Sequence, residues 1–325
     1  MRLREPWPLS IVTGFLGSGK TTLITGLLRR ADMADTVVIV NEFGEIGLDH
    51  HLIKQVTDHV VLLPNGCLCC TIRQDVVQTL RDLHRAWLAG DVPDFERVLV
   101  ETTGLAEPSP LLASLVGHPL LVDVFALRAV VTVIDADYGL RHLNDHSTCW
   151  QQVCVADHLV VSKCDLAPHD DVEALHRRLV DINPLAAIRR FPADEPPDFL
   201  FERTARPPSR SSLACAPAYG HLAQIQSIVL RSEGPVSWRK FQAWLNDVLE
   251  RFGSLVLRVK GCLRFDNRPV TMIVQAVHQT FYPLIEAPGH VGATEGFLVL
   301  ITVGQLQADV ARSFSLCRME NRRGP

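Results

Sequence analysis

The sequence predicts a mostly parallel, doubly wound α/β sheet followed by a smaller C-terminal α+β domain. Two observations predict it: unbroken runs of Val, Ile and Leu recur along the first part of the chain, and helical stretches separate them. Unbroken apolar runs are typical of parallel strands buried on both faces. The predicted strands are 9–14, 36–42, 59–63, 96–101, 129–135, 157–163 and 186–191, and the predicted helices are 20–31, 71–89 and 170–181. Ligands of such sheets bind at the carboxyl ends of the strands.

The chain divides at a stretch that breaks this rhythm. Residues 192–218 are rich in Pro, Ser and charge, which favours a linker or a surface loop. After it, an alternating strand at 221–231, a helix at 237–252 and further strands predict a second domain. The predicted organisation is a first domain over 1–191, a linker over 192–218 and a C-terminal domain over 219–325.

Composition and charge exclude several classes of function. The 325 residues are 47% apolar and carry a net charge of −4, which allows a sizeable core and leaves no basic stripe for nucleic acid. No run approaches about 18 apolar residues, so no membrane span is expected, and the N-terminus lacks the features of a secretory signal. Nine cysteines without regular spacing do not form a disulfide pattern. We therefore expect a cytoplasmic protein with reduced thiols.

Residues 14–21 match the pattern GxxxxGK[ST] between a predicted strand and a predicted helix. In such a phosphate loop, glycines let successive N–H groups turn towards the phosphates, and the helix N-terminus adds its positive dipole end. The lysine reaches the outer phosphates and the next hydroxyl binds Mg²⁺, roles that fall to Lys20 and Thr21. The predicted nucleotide-binding residues of this segment are Gly14, Gly17, Ser18, Gly19, Lys20, Thr21 and Thr22.

Two later strand ends complete the predicted nucleotide site. Glu101 ends a predicted strand, where an acidic residue acts on metal-bound water or orients the nucleophile, and the N–H of Gly104 can approach a γ-phosphate. Ser162, Lys163 and Asp165 follow another strand, where GTPases carry Asn-Lys-x-Asp. The Asp165 carboxylate can accept from two guanine donors that adenine lacks. Because Ser162 stands where Asn is usual, one polar contact to the purine is shortened or lost, and guanine preference is expected to rest mainly on Asp165.

The predicted metal site is a group of three closely spaced thiols: Cys67, Cys69 and Cys70. A helix predicted to begin at Thr71 would favour thiolates, and thiolates select Zn²⁺ or Cu⁺ over Mg²⁺. Three protein ligands leave one tetrahedral position open, which suits transfer rather than a permanent structural site. The candidates for a fourth ligand are Glu42, His118 and water. The alternatives are a redox-sensing thiol group and inert buried cysteines, and the remaining cysteines are expected to behave as small apolar residues or ordinary thiols.

Residues 41–49 connect the two predicted sites along the sequence. They follow the second predicted strand, so they should emerge at the same edge of the sheet as the phosphate loop. Polar and glycine residues here are typical of a switch segment that orders on γ-phosphate and Mg²⁺. We hypothesise that this segment couples nucleotide state to metal affinity.

The motifs GFLGSGKTT, VNEFGEIGLD, NGCLCC, ETTGLAEP, VVTVIDA and SKCD occur in this order. In this the chain resembles the CobW-like GTPases, relatives of the GTPases that assist nickel insertion into urease and hydrogenase. The resemblance is dense over 9–190 and weaker over 221–300. It implies slow GTP hydrolysis, zinc or another transition metal bound at the CxCC motif, and delivery of that metal to a client protein.

Carried over by position, the resemblance implies a role for each site residue. Gly17, Gly19, Lys20, Thr21 and Thr22 would hold phosphates and Mg²⁺, Lys163 and Asp165 would read guanine, and the three clustered cysteines would hold metal. The predicted catalytic residues are Lys20, Glu101 and Glu42. No His-rich tract is present, which argues against metal storage.

Three other functions fit parts of the same pattern. One is a nucleotide-modulated zinc sensor or buffer, and another is a cobalt-handling GTPase that assists cobalamin synthesis, since Cys ligands also bind Co²⁺. A P-loop kinase fits less well, because no Arg cluster is placed for a lid. The leading hypothesis is a GTP-driven zinc metallochaperone with GTP or GDP, Mg²⁺ and Zn²⁺ as its ligands. The client protein, the physiological metal and formation of a homo-oligomer are left open.

Overall fold

The computed structural model describes residues 5–40, 54–57, 60–62, 68–71, 76–192, 197–201, 225–287 and 296–317. The strands are β1 (Trp7–Thr13), β2 (Thr36–Val40), β3 (Lys54–Thr57), β4 (Val60–Leu62), β5 (Leu68–Thr71), β6 (Arg97–Glu101), β7 (Phe125–Asp135), β8 (His158–Ser162), β9 (Ala187–Arg190), β10 (Ile225–Ser232), β11 (Val256–Arg264), β12 (Thr271–Val277), β13 (Thr280–Phe281), β14 (Ile285–Glu286) and β15 (Gly296–Val303). The helices are α1 (Lys20–Leu28), α2 (Val76–Ala89), α3 (Pro108–Gly117), α4 (Pro119–Val124), α5 (Gly139–Asp145), α6 (Ser147–Val155), α7 (His169–Ile182), α8 (Trp238–Phe252) and α9 (Gln307–Ser315).

The first sheet has the strand order β3-β4-β5-β2-β6-β1-β7-β8-β9. From β5 to β9 every neighbouring pair is parallel, whereas β3 pairs with β4 and β4 with β5 in antiparallel fashion. Parallel neighbours need a crossover, and helices supply it after β1, β5, β6, β7 and β8. Each of the seven predicted runs contains a strand of this sheet, so the predicted fold class is confirmed.

The cysteine segment differs from its prediction. Leu68–Thr71 form β5, whose backbone pairs in parallel with β2 and sets Cys69 opposite Val38. The helix was expected to begin at Thr71, but Thr71 is the last residue of β5, so that boundary was wrong; the described helix is Val76–Ala89. Pairing of the backbone with β2 outweighs local spacing here, as is common for short strands. Thr71, the neighbour of Cys70, is therefore a strand residue and not the first residue of a helix, as the argument for thiolate formation assumed.

Four short helices, α3 to α6, were not predicted. Two of them begin at a proline, Pro108 in α3 and Pro119 in α4. A proline interrupts an apolar run in the sequence, but it is well suited to the first position of a helix, where its missing N–H has no intrahelical partner. These helices occupy the crossovers from β6 to β7 and from β7 to β8.

The core beside the phosphate loop lies between α1 and the sheet. One face of α1 carries the spacing of an amphipathic helix, and its buried apolar residues are Leu23, Ile24, Leu27 and Leu28. Residues 197–201 join this core, because Leu200 is fully buried and Ser10 donates its hydroxyl to the Leu200 carbonyl. These residues lie inside the predicted linker. The apolar run Phe199-Leu200-Phe201 explains why they pack, since burial of apolar surface stabilises.

The C-terminal sheet is antiparallel in the order β10-β15-β11-β12-β13, with β14 also paired to β12. The predicted helix 237–252 is confirmed as α8, which begins at Trp238. Its buried residues are Phe241, Trp244, Leu245, Val248 and Leu249. They form one core with the inner faces of β11, β12 and β15 and with α9.

The chain separates into two compact units. The first comprises Met1–Gln152, Ala156–Leu175 and Ala187–Glu202, and the second comprises Val153–Val155, His176–Ala186 and Arg203–Pro325. Over the described residues, no helix is both long enough and apolar enough to cross a bilayer.

Phe241→Ala tests the core of the C-terminal sheet. Phe241 is fully buried, and its ring centroid lies 5.2 Å from that of Phe265 and 5.6 Å from that of Trp244. Truncation leaves a cavity, so we expect the free energy of unfolding to fall by about 3–5 kcal/mol. Chemical denaturation followed by Trp fluorescence measures it. Arg239→Ala, an exposed change on the same helix, should stay within about 0.5 kcal/mol of the parent; equal effects of the two changes would contradict this core assignment.

Candidate nucleotide and metal sites

The phosphate loop, residues 14–21, joins β1 to α1. Gly14, Gly17 and Gly19 have φ angles of 143°, 71° and 93°, a region that other residues rarely adopt. At Gly14 there is also no room for a side chain, because a Cβ atom would lie 2.2 Å from the carbonyl oxygen of Val133. Gly19 caps α1, whose first turn contains no acidic residue. The loop therefore ends at the positive terminus of a helix whose own first turn adds no negative charge, which favours a phosphate.

Lys20 and Thr21, in the first turn of α1, contact different groups. Lys20 is buried, and its Nζ donates to the carbonyl oxygens of Gly14 and Phe15 at 3.0 and 3.1 Å, so the ammonium group lies over the loop. Thr21 Oγ1 donates to Glu101 Oε1 at 2.9 Å, and Glu101 is 1% exposed. Hydroxyl and carboxylate oxygens are the ligands that Mg²⁺ prefers. This pair fits the predicted magnesium position.

The other predicted residues of the loop fall at its centre and its end. Ser18 is buried and its backbone N–H donates to the Phe15 carbonyl at 3.2 Å, which closes a tight turn. Thr22 follows Thr21 with an exposed side chain. Ser18 therefore lies in a tight turn of the loop, and Thr22 lies just past the loop in the first turn of α1.

Residues 102–106, after β6, lie against the phosphate loop. Thr102 donates its hydroxyl to Thr13 Oγ1 at 2.8 Å and its backbone N–H to the Val12 carbonyl at 3.0 Å. A Cβ atom on Gly104 would lie 2.7 Å from the backbone nitrogen of Leu16. Only glycine permits so close an approach. The structure therefore brings Gly104 into direct contact with the phosphate loop.

The predicted base-specificity residues begin where β8 ends, opposite Asp135 of β7. Ser162 is buried, and its Oγ donates to the carbonyl oxygen of Ser18 at 2.6 Å. Its hydroxyl thus braces the phosphate loop. Lys163 takes a φ of 56°, and its Nζ pairs with Asp135 Oδ2 at 2.6 Å. Asp165 is exposed, so its carboxylate is accessible to a ligand.

The predicted metal ligands are described only in part. Cys69 and Cys70 lie on the backbone of β5, and Glu42 and Cys67, like the whole of residues 41–49, lie outside the described residues. His118 lies between α3 and α4, and its Nδ1 is buried with no hydrogen-bond partner among the described residues. In the part of the chain that the structure describes, no three Cys, His, Asp or Glu side chains come together as a metal site.

Asp135 is a site residue that sequence reasoning missed. Besides its pair with Lys163, its Oδ1 accepts the backbone N–H of Asp137 at 2.9 Å, so one carboxylate fixes both the lysine and the turn into α5. Its position at the carboxyl end of a buried strand was the signal that could have identified it.

Phe15 of the phosphate loop contacts two imidazole rings that were also not predicted. Its ring centroid lies 4.8 Å from that of His142 and 4.6 Å from that of His146. Burial, and then the neighbouring His146, lower the pKa of His142 below its ordinary value. No sequence signal marks this contact, because it depends on where α5 packs.

The described cysteines outside β5 are poor candidates for metal or redox chemistry. Burial raises the pKa of Cys149 to about 12 and those of Cys262 and Cys317 to about 11. Burial also raises the pKa of Cys154. A thiol is a metal ligand or nucleophile only as the thiolate. These residues therefore pack as small apolar side chains, as expected.

A glycine-rich phosphate loop between a parallel strand and a helix, with an acidic strand end beside it, defines a P-loop nucleotide-binding protein. Residues 8–190 match the family model described as CobW/HypB/UreG, nucleotide-binding domain, and residues 225–318 match that of the cobalamin synthesis protein cobW C-terminal domain. The chain belongs to the CobW/HypB/UreG family. The predicted resemblance is thereby confirmed.

Similar proteins carry names that concern zinc. The zinc chaperone YjiA of Escherichia coli is 29% identical over 282 residues, which cover 85% of this chain and 88% of that protein. The zinc-regulated GTPase metalloprotein activator 1 of Schizosaccharomyces pombe is 32% identical over 191 residues, which cover 57% of this chain and 45% of that protein. The chain thus spans less than half the length of the yeast relative.

A solved structure of the YjiA GTPase has the same fold. It superposes with a TM-score of 0.75 at 26% identity and covers 97% of this chain and 100% of that chain. That structure is of a zinc-bound triple variant, in which one glutamate and two cysteines are replaced by alanine. In that relative, zinc is thus present although one glutamate and two cysteines have been replaced.

The raised thiol pKa values predict which cysteines resist alkylation. At about pH 8, roughly one in a thousand or fewer of the Cys149, Cys262 and Cys317 thiols is ionised, because thiolate appears only as the pH approaches the pKa. We expect iodoacetamide to leave them unmodified in the folded protein and to modify them after unfolding, as measured by peptide mass spectrometry. Cys164, which is half-buried, should react earlier. Rapid alkylation of Cys149 in the folded protein would contradict this.

Proposed function

We propose that this chain is a GTPase that binds zinc at Cys67, Cys69 and Cys70 and transfers it to a client protein, with nucleotide state controlling the transfer. The observation that carries the GTPase half is the 2.9 Å hydrogen bond between Thr21 and Glu101. It joins a hydroxyl at a helix N-terminus to a buried carboxylate beside the phosphate loop. Family membership, and a relative along 85% of the chain that is named a zinc chaperone, support the metal half.

Each group of the nucleotide site has a role in this proposal. The N–H groups of residues 14–19 and the Lys20 ammonium bind the β- and γ-phosphates, and Thr22 supplies a further hydroxyl. Thr21 and Glu101 hold Mg²⁺, which neutralises phosphate charge when bound. The N–H of Gly104 contacts the γ-phosphate, and Glu101 and Glu42 orient the attacking water. Turnover is slow until the client protein binds.

Asp165 and Lys163 read the base in this proposal. The exposed Asp165 carboxylate accepts two hydrogen bonds from guanine, and the stem of Lys163 covers the base. The ion pair with Asp135 supports this role, because it holds Lys163 in an otherwise unfavourable backbone conformation. The Ser162 hydroxyl is committed to the phosphate loop, so selectivity rests on Asp165.

The zinc site in this proposal is completed by His118 or Glu42. His118 has a buried Nδ1 without a hydrogen-bond partner among the described residues, which is the condition of an imidazole that awaits a ligand. His118 directly precedes α4, and α4 packs against α2, the helix that follows the cysteines in the chain. Thiolate ligands need a reducing compartment, so we place the protein in the cytoplasm.

The proposed division of labour follows the chain. Residues 1–191 bind nucleotide and metal, residues 192–218 connect, and residues 219–325 dock the client. The family matches at 8–190 and 225–318 support this division. Residues 41–49 transmit the nucleotide state to the cysteines.

Asp165→Asn tests guanine recognition. The change replaces an acceptor of two hydrogen bonds by an amide that can accept one and donate one, so GTP affinity should fall by about tenfold or more. Xanthosine triphosphate presents a carbonyl where guanine has an amine, so the variant should bind that nucleotide better than the parent does. Competition against a fluorescent nucleotide measures both affinities.

Asp137→Asn is a matched control, because it makes the same change beyond the end of β7. It should retain GTP selectivity. The guanine assignment would be contradicted if ATP displaced labelled nucleotide from the parent protein as well as GDP does.

Cys67/Cys69/Cys70→Ala tests the zinc site. We expect the variant to lose about one equivalent of tightly bound zinc and the ability to pass zinc to a chelating acceptor. Some zinc bound elsewhere is expected, given the zinc-bound triple variant of the relative. Zinc titration and the rate of transfer to the acceptor are the measurements, and Cys164→Ala, a single thiol outside the cluster, is the control.

Unchanged zinc stoichiometry and transfer in the triple variant would contradict the proposed zinc site.

Zinc titrations of the parent protein with GDP and with a non-hydrolysable GTP analogue test whether nucleotide state controls metal binding. Zinc affinity should differ between the two nucleotides, because a coupled site must bind metal more tightly in one state. Equal affinities would end the gating argument.

A further inference from the structure

Gln152 on α6 is a buried side chain that holds the segment after β6. It is 1% exposed, and its Nε2 donates to the carbonyl oxygen of Ala106 at 3.0 Å and to that of Gly104 at 3.3 Å. An amide nitrogen carries two N–H groups, so one side chain satisfies both carbonyls. These partners also determine the orientation of the amide, since the reverse orientation would set its oxygen against two carbonyl oxygens.

The backbone of Gln152 is anchored to β7, the neighbour of the strand that enters the phosphate loop. Thr132 of β7 donates its hydroxyl to the Gln152 carbonyl at 2.7 Å, and Thr132 is the register partner of Thr13 in β1. Thr13 in turn accepts the hydroxyl of Thr102 at 2.8 Å. Residues 102–106 are therefore tied to β1 and its neighbour β7 at both ends, through Thr102 at the start and Gln152 at the end.

The remaining polar atom of Gln152 argues that the residue serves more than packing. Its Oε1 is buried and has no hydrogen-bond partner among the described residues. An unpaired buried acceptor destabilises a fold, and an apolar residue of similar size would fill the position without that cost. The amide is therefore better explained by what its two N–H groups hold.

We propose that Gln152 is a positioning residue that fixes Gly104 against the phosphate loop and so sets how much the γ-phosphate contributes to nucleotide affinity. This rests on the proposed function, in which the Gly104 N–H contacts that phosphate. Glycine has the widest choice of backbone torsions, so Gly104 is the most flexible residue of the segment. The hydrogen bond from Gln152 to its carbonyl restricts the backbone at that residue. We call the two hydrogen bonds from Gln152 to Gly104 and Ala106 the clamp. Because Gly104 lies directly against Leu16, the clamp also fixes the position of Gly104 relative to the phosphate loop.

Gln152→Met tests the clamp, because it keeps the length and volume of the side chain and removes both donors. Affinities are measured for GDP and for a non-hydrolysable GTP analogue. We expect affinity for the analogue to fall about tenfold and affinity for GDP to stay within about twofold, since two hydrogen bonds that position a γ-phosphate contact are lost. If Gln152 had a purely structural role, the substitution would lower the affinities for both nucleotides by the same factor.

Gln151→Met is the matched control. Gln151 is the preceding residue of the same helix, is half-buried, and also has a buried Oε1 without a partner among the described residues. Its side chain makes no hydrogen bond to residues 102–106 within the described part of the chain, so both affinities should match those of the parent. Gln152→Asn, which keeps the amide but shortens it by one methylene, gives the same comparison should the Met variant fail to fold.

The outcomes separate this proposal from the proposed function. Loss confined to the analogue in Gln152→Met supports the clamp. If the parent protein binds both nucleotides, an equal loss of affinity for both in Gln152→Met, or no loss for either, overturns the positioning role of Gln152 alone. A parent protein that binds neither nucleotide overturns the GTPase proposal, and the clamp with it.

Discussion

Backbone packed directly against backbone around the phosphate loop is the constraint on which the rest of the site depends. Gly14 lies so close to the Val133 carbonyl, and Gly104 so close to Leu16, that no Cβ atom fits at either position. With no side chains between them, β7 and the segment after β6 set the position of the loop directly. A shift of either neighbour must therefore move the loop or break the contact.

Buried hydroxyl and amide groups hold this arrangement together. Ser162 reaches the Ser18 carbonyl, Thr102 reaches Thr13, and Gln152 reaches the segment after β6. Such groups are costly to bury unless they are paired, and in a low dielectric their hydrogen bonds strengthen. Ser162, which stands where GTPases usually have asparagine, thus connects the end of β8 to the phosphate loop through its hydroxyl.

Strand order explains how the cysteines relate to the nucleotide site. β5, which carries Cys69 and Cys70, is followed across the sheet by β2, β6 and β1. Register sets Thr71 and Glu101 opposite the same residue, Val40, from its two sides. Val40, the last described residue before 41–49, thus lies between the cysteine strand and the strand of the acidic residue. This position of Val40 is the reason for proposing 41–49 as the connection between metal and nucleotide.

The phosphate loop, the strands of the parallel sheet and the amphipathic helix α8 could be predicted because each leaves a pattern within a short stretch of sequence. Glycine spacing, apolar runs and helical periodicity are local properties. Tertiary structure alone decided that Leu68–Thr71 form a strand and that Phe199, Leu200 and Phe201 pack in the core. It also decided that Asp135 pairs with Lys163 and that Gln152 donates to the segment after β6. Their partners lie far along the chain, 48 residues away for Gln152 and Gly104. A hydrogen bond across that separation leaves no local pattern, because only packing of the sheet and its helices brings the two groups together.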